Sequence, residues 1–268
     1  MITAKNYAAQ AERSILKQAY VFTQTEKPRL YKLLLAMKNA VHFAIPDNGV
    51  IFDDNNNGLV GSKIRLPFPE ITIEFFDSIS NTKLVFLAIT MQDGIALTVF
   101  IHDKESNEWG FNSIFGFIPD DIVFSERNYL ETFDNFPDYT RLCLAHGQTL
   151  EYQKDNIGQA FRSFFEFIEA ISCTNVEASI HQPASPKNAQ RIKSHKLPIY
   201  ETKVLTIKAG KESLSSVGNG VKGSHQSPRQ HLRRGHIRRL EKGNIWVNSC
   251  VVGSKENGVI DKQYKVTD

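Results

Sequence analysis

Nowhere do the 268 residues contain an apolar run approaching the ~18 residues that a membrane-spanning helix needs. The first twenty, MITAKNYAAQAERSILKQAY, lack the apolar stretch of a signal peptide. Cysteine is scarce: Cys143, Cys173 and Cys250 are an odd number at wide spacing, which excludes a secreted disulfide framework and reads as buried thiols in a reducing compartment. A cytoplasmic location without membrane association is therefore expected. The familiar catalytic signatures are missing too, with no G-x-S-x-G elbow, no H-E-x-x-H helix and no C-x-x-C pair.

Three partial motifs fail on inspection. Gly218-Asn-Gly220-Val-Lys-Gly223 spells the dinucleotide fingerprint, but Pro228 and a turn-like stretch follow where a helix is needed to hold the pyrophosphate. Asp53 to Gly58 opens like a helix-loop-helix calcium loop, yet its twelfth position is Ile64 instead of the glutamate that closes the oxygen shell. Asp120-Asp121 follows Pro119 and reads as a turn, since adjacency does not give two carboxyls separate roles. A zinc set of His225, His231, His236 and Cys250 sits among arginines that repel a cation and matches no compact zinc module. No cofactor and no metal site is expected.

What is abundant is charge, unevenly placed. Residues 1–180 carry 15 Lys+Arg against 23 Asp+Glu, net −8, and residues 181–268 carry 17 against 6, net +11. The overall +3 conceals this split, which points to an anionic partner. Its centre is His225–Leu240, HQSPRQHLRRGHIRRL, with five arginines and three histidines in sixteen residues.

The elements predicted from pattern give an α+β fold. Ala8, Ala11, Ile15, Leu16 and Ala19 recur at helical spacing, and a second helix runs from Pro28 to about Val41 on Leu30, Leu33, Leu34 and Met37. An antiparallel sheet follows: Ile71–Phe75, then Leu84–Met91 and Ile95–His102 around an Asp93-Gly94 hairpin, then a strand from Glu108 to Ile118. A helix from Asn156 to Cys173 lays phenylalanines 161, 164, 165 and 167 on that sheet. These form an acidic domain, residues 1–177. The proline-containing basic stretch 178–198 reads as a linker or arm, and residues 199–268 as a small basic β-rich domain. In that last part the expected strands are Ile199–Lys208, a hairpin of His236–Leu240 with Asn244–Val252, and Val259–Val266.

Arg229, Arg233, Arg234, Arg238 and Arg239 offer guanidinium forks that match phosphate oxygens, and His231, His236 and Trp246 add donors and a stacking ring. If His236–Leu240 is a strand, His236, Arg238 and Leu240 share one face and Ile237 and Arg239 the other. Without a recognition helix, RNA or a single strand is favoured over a base-specific duplex site. Two other functions fit the same residues: an interaction protein capturing a host factor through the acidic domain, and a metal-independent ribonuclease with His231 and His236 as acid and base.

The segments 188–207, NAQRIKSHKLPIYETKVLTI, and 225–266, with Ser227-Pro-Arg229-Gln-His231-Leu-Arg233-Arg234-Gly235-His236-Ile-Arg238-Arg239 before a Trp-Val strand and a closing Gly-Tyr stretch, resemble the C-terminal part of a family of uncharacterised phage and prophage proteins. Residues 41–75 resemble the N-terminal part of the same proteins. The resemblance implies a viral or prophage origin and action inside a bacterial cell; it carries over no catalytic residue.

Overall fold

The protein was studied as a computed structural model, which describes residues 6–51, 64–120 and 131–207, and, further on, the strands at 229–233, 236–240, 243–247, 250–252 and 254–259. The fold is α+β. Helix α1 (Tyr7–Lys17) buries Ala8, Ala11 and Ile15, while Leu16 lies half exposed off that stripe. A 3₁₀ turn at Ala19–Val21 leads to α2 (Lys27–Asn39), whose Pro28 sits in the first turn, where its missing N–H costs nothing.

Among the described residues the main sheet has nine strands: β1 (Val41–Ala44), β2 (Glu70–Asp77), β3 (Thr82–Met91), β4 (Gly94–Asp103), β5 (Glu108–Phe111), β6 (Ile114–Pro119), β7 (Glu131–Asp134), β8 (Val176–Gln182) and β9 (Thr202–Ile207). Their order is β7-β6-β4-β3-β2-β1-β9-β8, with β5 also pairing β4. The sheet is mixed where a purely antiparallel one was expected, because β1 runs parallel to both β2 and β9. β1 is four residues long, begins two residues after α2 ends, and carries a histidine, so it gives no turn signal and little alternation.

Period-two alternation divides the sheet between two cores. On one face Ile71, Ile73, Phe75, Leu84, Phe86 and Val99 pack against α4 (Leu150–Ile171) through Phe161, Phe164 and Phe167. On the other, Val85, Leu87, Ala96 and Phe100 pack against α1, α2 and the aromatic cluster around Phe22, Phe111 and Phe136. α4 starts six residues earlier than its phenylalanines suggest, because Thr149 caps it by accepting from the Tyr152 amide at 3.0 Å. α3 (Pro137–Ala145) was not foreseen.

The expected single strand from Glu108 to Ile118 is two, broken at Asn112-Ser113. Gln153 of α4 pins the break: its Oε1 accepts from the Ser113 amide at 3.0 Å and hydroxyl at 2.9 Å, and its carbonyl accepts from Asn112 Nδ2 at 2.7 Å. The β3–β4 hairpin forms where Asp93-Gly94 placed it, pairing Met91 with Gly94. A Cβ on Gly94 would lie 2.1 Å from the Ile118 carbonyl oxygen, a backbone atom with no room to retreat. Gly94→Ala should therefore lower unfolding free energy by roughly 2–4 kcal/mol, measured by urea denaturation; a loss below ~1 kcal/mol would show that the strand edge gives way.

The segment 178–198 is not an arm. Val176–Gln182 forms β8, antiparallel to β9, and α5 (Asn188–Lys193) fills the connection. Pro183, Pro186 and Pro198 fall outside both strands, where a missing N–H breaks no ladder. Asn188 closes the loop by donating to the Ile199 carbonyl and accepting from its amide, both at 2.9 Å, and Arg191 donates to the Leu197 carbonyl at 2.7 Å. β9, expected in the basic C-terminal unit, instead inserts between β1 and β8, so the main sheet reaches Ile207.

Beyond it lie a three-stranded sheet, β13 (Cys250–Val252), β10 (Arg229–Arg233), β14 (Ser254–Val259) in that order, and a hairpin of β11 (His236–Leu240) with β12 (Gly243–Val247). The hairpin has the expected first strand, but its second ends at Val247 where Val252 was expected, because Cys250–Val252 pairs with β10 instead. The last strand ends at Val259 where a start at Val259 was read, and residues 260–268 lie outside the described ones.

Candidate nucleic-acid interface

The basic block is carried by strands, as its lack of helical pattern implies. Along β10 the sequence is Arg-Gln-His-Leu-Arg, and alternation puts positions 229, 231 and 233 on one face and 230 and 232 on the other. β10 is the middle strand, antiparallel to β13 with His231 opposite Val252 and Arg233 opposite Cys250, and parallel to β14 with Arg229 opposite Ser254. The β13 ladder covers His231–Arg233 and the β14 ladder covers Arg229 and Gln230, with a register shift between those two, so each part of β10 is paired on one side. Two arginines with a histidine midway, at positions two residues apart, span about 13 Å at the strand rise of ~3.3 Å per residue.

The hairpin separates its arginines. β11 pairs with β12 in the register His236–Val247, Ile237–Trp246, Arg238–Ile245, Arg239–Asn244 and Leu240–Gly243. Positions 236, 238 and 240 share a face; 237 and 239 share the other with Trp246 and Asn244. Arg238 and Leu240 are exposed. Thus Arg239 falls on the face of Trp246 while Arg238 does not. Arg234 lies outside the described residues, as do His225, the glycine fingerprint at 218–223, the Asp53–Gly58 loop and Asp121. The two histidines of the ribonuclease reading stand on different strands of different sheets, His231 on β10 and His236 on β11.

Among the described residues no group of three or more His, Cys, Asp or Glu side chains is placed to hold a metal, and no helix is long and apolar enough to cross a membrane. Cys143 and Cys173 are buried free thiols, as expected; burial raises both above the ordinary thiol value, Cys173 to about 11.

A second constellation, which the sequence reading missed, lies on the α1 side of the main sheet. His42 of β1 is 5 % exposed and its Nδ1 lies 2.6 Å from the hydroxyl of Thr72 on β2. Its ring stacks on Tyr200, centroids 4.6 Å apart and planes within 2°. The Tyr200 hydroxyl in turn donates to the Glu12 carboxylate of α1. Burial lowers the His42 pKa from 6.5 to about 4, so the imidazole is neutral at pH 7. Burial raises the Glu12 carboxyl and the Tyr200 phenol, and their shared hydrogen bond opposes the shift at Glu12 while adding to it at Tyr200. His42 and Tyr200 are far apart in the chain, so only the β1–β9 pairing reveals the group.

That geometry sets a pH dependence. A histidine depressed when folded stabilises fully above its unfolded value of 6.5, and the contribution is lost as pH falls toward 4. Glu12, raised when folded, acts in the opposite direction, so a comparison of variants isolates the histidine. Between pH 7 and pH 5 the wild-type protein should lose about 2 kcal/mol that His42→Gln does not lose. Parallel urea titrations of both proteins at the two pH values check this; equal losses would show that His42 protonates without penalty.

Comparison of the chain with protein-family models, with curated proteins and with solved structures finds no match.

Proposed function

We propose that the protein binds nucleic acid, RNA or a single strand, through the strands of its basic C-terminal region. The observation that carries this reading is the repeat of Arg229, His231 and Arg233 at alternate positions of the central strand β10. Guanidinium groups on one sheet face follow a sugar-phosphate backbone, each displacing condensed counterions, and they do so without base specificity. Trp246 and Arg239, on a common face of the hairpin, supply a ring and a planar cation on which bases stack. A sheet of this kind suits splayed single strands better than the major groove, for which no recognition helix is present in the described part of the region.

The net +11 of residues 181–268 against the net −8 of residues 1–180 supports an electrostatic partner that approaches one part of the chain. The resemblance to phage and prophage proteins adds the setting, the cytoplasm of an infected or lysogenic bacterium. Mobility-shift binding of nuclease-treated protein to labelled RNA, single-stranded DNA and duplex DNA tests the proposal. Preference for the single-stranded probes supports it. Equal affinity for all three reduces it to general polyanion binding, and recovery of one stoichiometric protein with no nucleic-acid affinity would favour host-factor capture instead.

A further inference from the structure

The turn that follows β1 carries a reactive sequence in a conformation that withholds it. Asn48-Gly49 lies in the turn Asp47–Gly49. An asparagine before glycine is open to attack by the next backbone nitrogen on its side-chain amide, because glycine brings no side chain to hinder the approach. The attack needs the Gly49 nitrogen freed of its proton and rotated until it eclipses Asn48 Cβ, with the side chain swung over it.

The turn denies these conditions together. The Gly49 amide donates to the Pro46 carbonyl at 3.1 Å, which holds its proton. Asn48 Oδ1 accepts from the Ser78 amide and from the Ser78 hydroxyl, both at 2.7 Å, so the side chain is tied to the residue that follows β2. The Asn48 backbone stands at φ 68° and ψ 4°, a left-handed conformation that asparagine tolerates better than most residues with a side chain. At that ψ the Gly49 nitrogen eclipses the backbone nitrogen of Asn48 itself, a third of a turn away from Cβ. Two donors on one carbonyl oxygen also suit the oxyanion that an attack creates. Here they hold the amide where the nucleophile does not reach it, so position outweighs activation. Gly49 is buried, and a Cβ built on it would lie 2.7 Å from Phe75 Cζ and closer still to the Ser163 hydroxyl of α4.

We propose that Asn48 is a deamidation site held shut by Ser78, and that its isoaspartyl product does not re-enter the fold. In the reaction the deprotonated Gly49 nitrogen bonds to Asn48 Cγ, the bond from Cγ to Nδ2 breaks, and ammonia leaves. Water then opens the cyclic imide at either carbonyl, giving aspartate or isoaspartate. Aspartate keeps the backbone and offers a carboxylate to the same two Ser78 donors. Isoaspartate routes the main chain through Cβ and so adds a methylene ahead of Gly49, where Phe75 and Ser163 leave no space for it.

The test is incubation of the full chain in mildly alkaline buffer, native and unfolded in guanidinium chloride, with peptide mass spectrometry that separates aspartate from isoaspartate. In the unfolded chain Asn48 should convert at the pace of the other Asn-Gly pairs, those of Asn57, Asn219 and Asn257. In the native protein it should convert at least about tenfold more slowly than in the unfolded chain, because the turn must open first. Ser78 is exposed, so Ser78→Ala leaves the core and the backbone donor in place; it should speed native conversion roughly fivefold, the worth of one net hydrogen bond. Ser78→Thr, which keeps the hydroxyl, should stay slow. When the converted chain is refolded and its native and unfolded fractions are mapped, aspartate at position 48 should appear in the native fraction and isoaspartate in the other. Equal rates for the native and unfolded chain overturn the proposal, as does a Ser78→Ala variant that is no faster than wild type or is slower. Isoaspartate at position 48 in the native fraction, in the same ratio to aspartate as before refolding, overturns its second half.

Discussion

Replacing Arg229 and Arg233 together with alanine should weaken binding of single-stranded RNA by about a hundredfold, since each charge-assisted contact is worth roughly 1.5–3 kcal/mol and part of each is recovered by neighbouring cations. The dependence of log K on log salt should become shallower by about 1.4, two phosphates at ~0.7 each for a single strand. Both positions lie on one face of a central strand, so alanine leaves the β10 backbone pairing with β13 and β14 intact. Fluorescence anisotropy across a salt series, beside circular dichroism of the variant, separates lost contacts from lost structure. Gln230→Ala, on the other face of the same strand, is the control and should change affinity by less than threefold, within the ~0.5 kcal/mol usual for surface substitutions. Equal effects of the two variants would show that β10 does not present its cations as a row.

Glu74→Ala should cost roughly 3–5 kcal/mol of unfolding free energy, the largest stability effect expected from a single carboxylate here. Glu74 of β2 is 3 % exposed, and its carboxylate accepts the amides of Asn6 at 3.0 Å, Tyr7 at 2.7 Å and Ala8 at 3.3 Å. These are the orphan donors that begin α1. Asn6 does not cap the helix with its own side chain; it sits at φ 55° with its side-chain Nδ2 donating to the Pro198 carbonyl at 2.8 Å and its Oδ1 accepting from the Tyr200 backbone amide at 3.2 Å. A charge on the sheet therefore does what a cap does elsewhere, and the positive end of the helix favours it there. Removing it strands the buried N–H groups of Tyr7 and Ala8 and the half-buried one of Asn6. Glu74→Gln, which keeps one acceptor oxygen, should cost about half as much, with an unchanged dependence of ΔG on urea. A loss below ~1 kcal/mol for alanine would mean that water reaches those amides.

The same device recurs at α3, where Glu26 of the α1–α2 connection accepts the amides of Asp138 at 2.8 Å and Tyr139 at 3.3 Å. Both cases explain why these helix starts were hard to read. The usual signal is a Ser, Thr, Asp or Asn with an acid three residues on, whereas here the acids lie far along the chain, 67 residues away for Tyr7 and 112 for Asp138. Local signals did find α2 from Pro28, the β3–β4 hairpin from Asp93-Gly94 and α4 from its phenylalanines. What they missed depends on pairing between distant segments: β1, too short to announce itself; the parallel β1–β9 contact; and β8 and α5, whose lysines and nearby prolines look like a linker until β9 is seen filling the place between β1 and β8.

The candidate interface shows the same division. The concentration of arginine was plain in the sequence, and alternation along His236–Leu240 separates Arg238 from Arg239 as that strand requires. The row on β10 needed the strand at Arg229–Arg233, which the sequence reading had assigned to no element. The His42–Tyr200 stack was not legible at all. His42 within Val-His-Phe-Ala is one polar residue among apolar ones, and Tyr200 meets it only after the sheet is assembled.

The most direct test of the central claim is equilibrium binding of the full, nuclease-treated chain to a labelled single-stranded RNA from about 50 to 300 mM salt. The two arginines of β10 engaged with phosphates predict a slope of log K against log salt of about −1.4, at ~0.7 per phosphate, with further contacts from β11 making it steeper. Absence of binding at the lowest salt, or an affinity indifferent to salt, would contradict the account and leave the basic strands as a surface for an acidic protein.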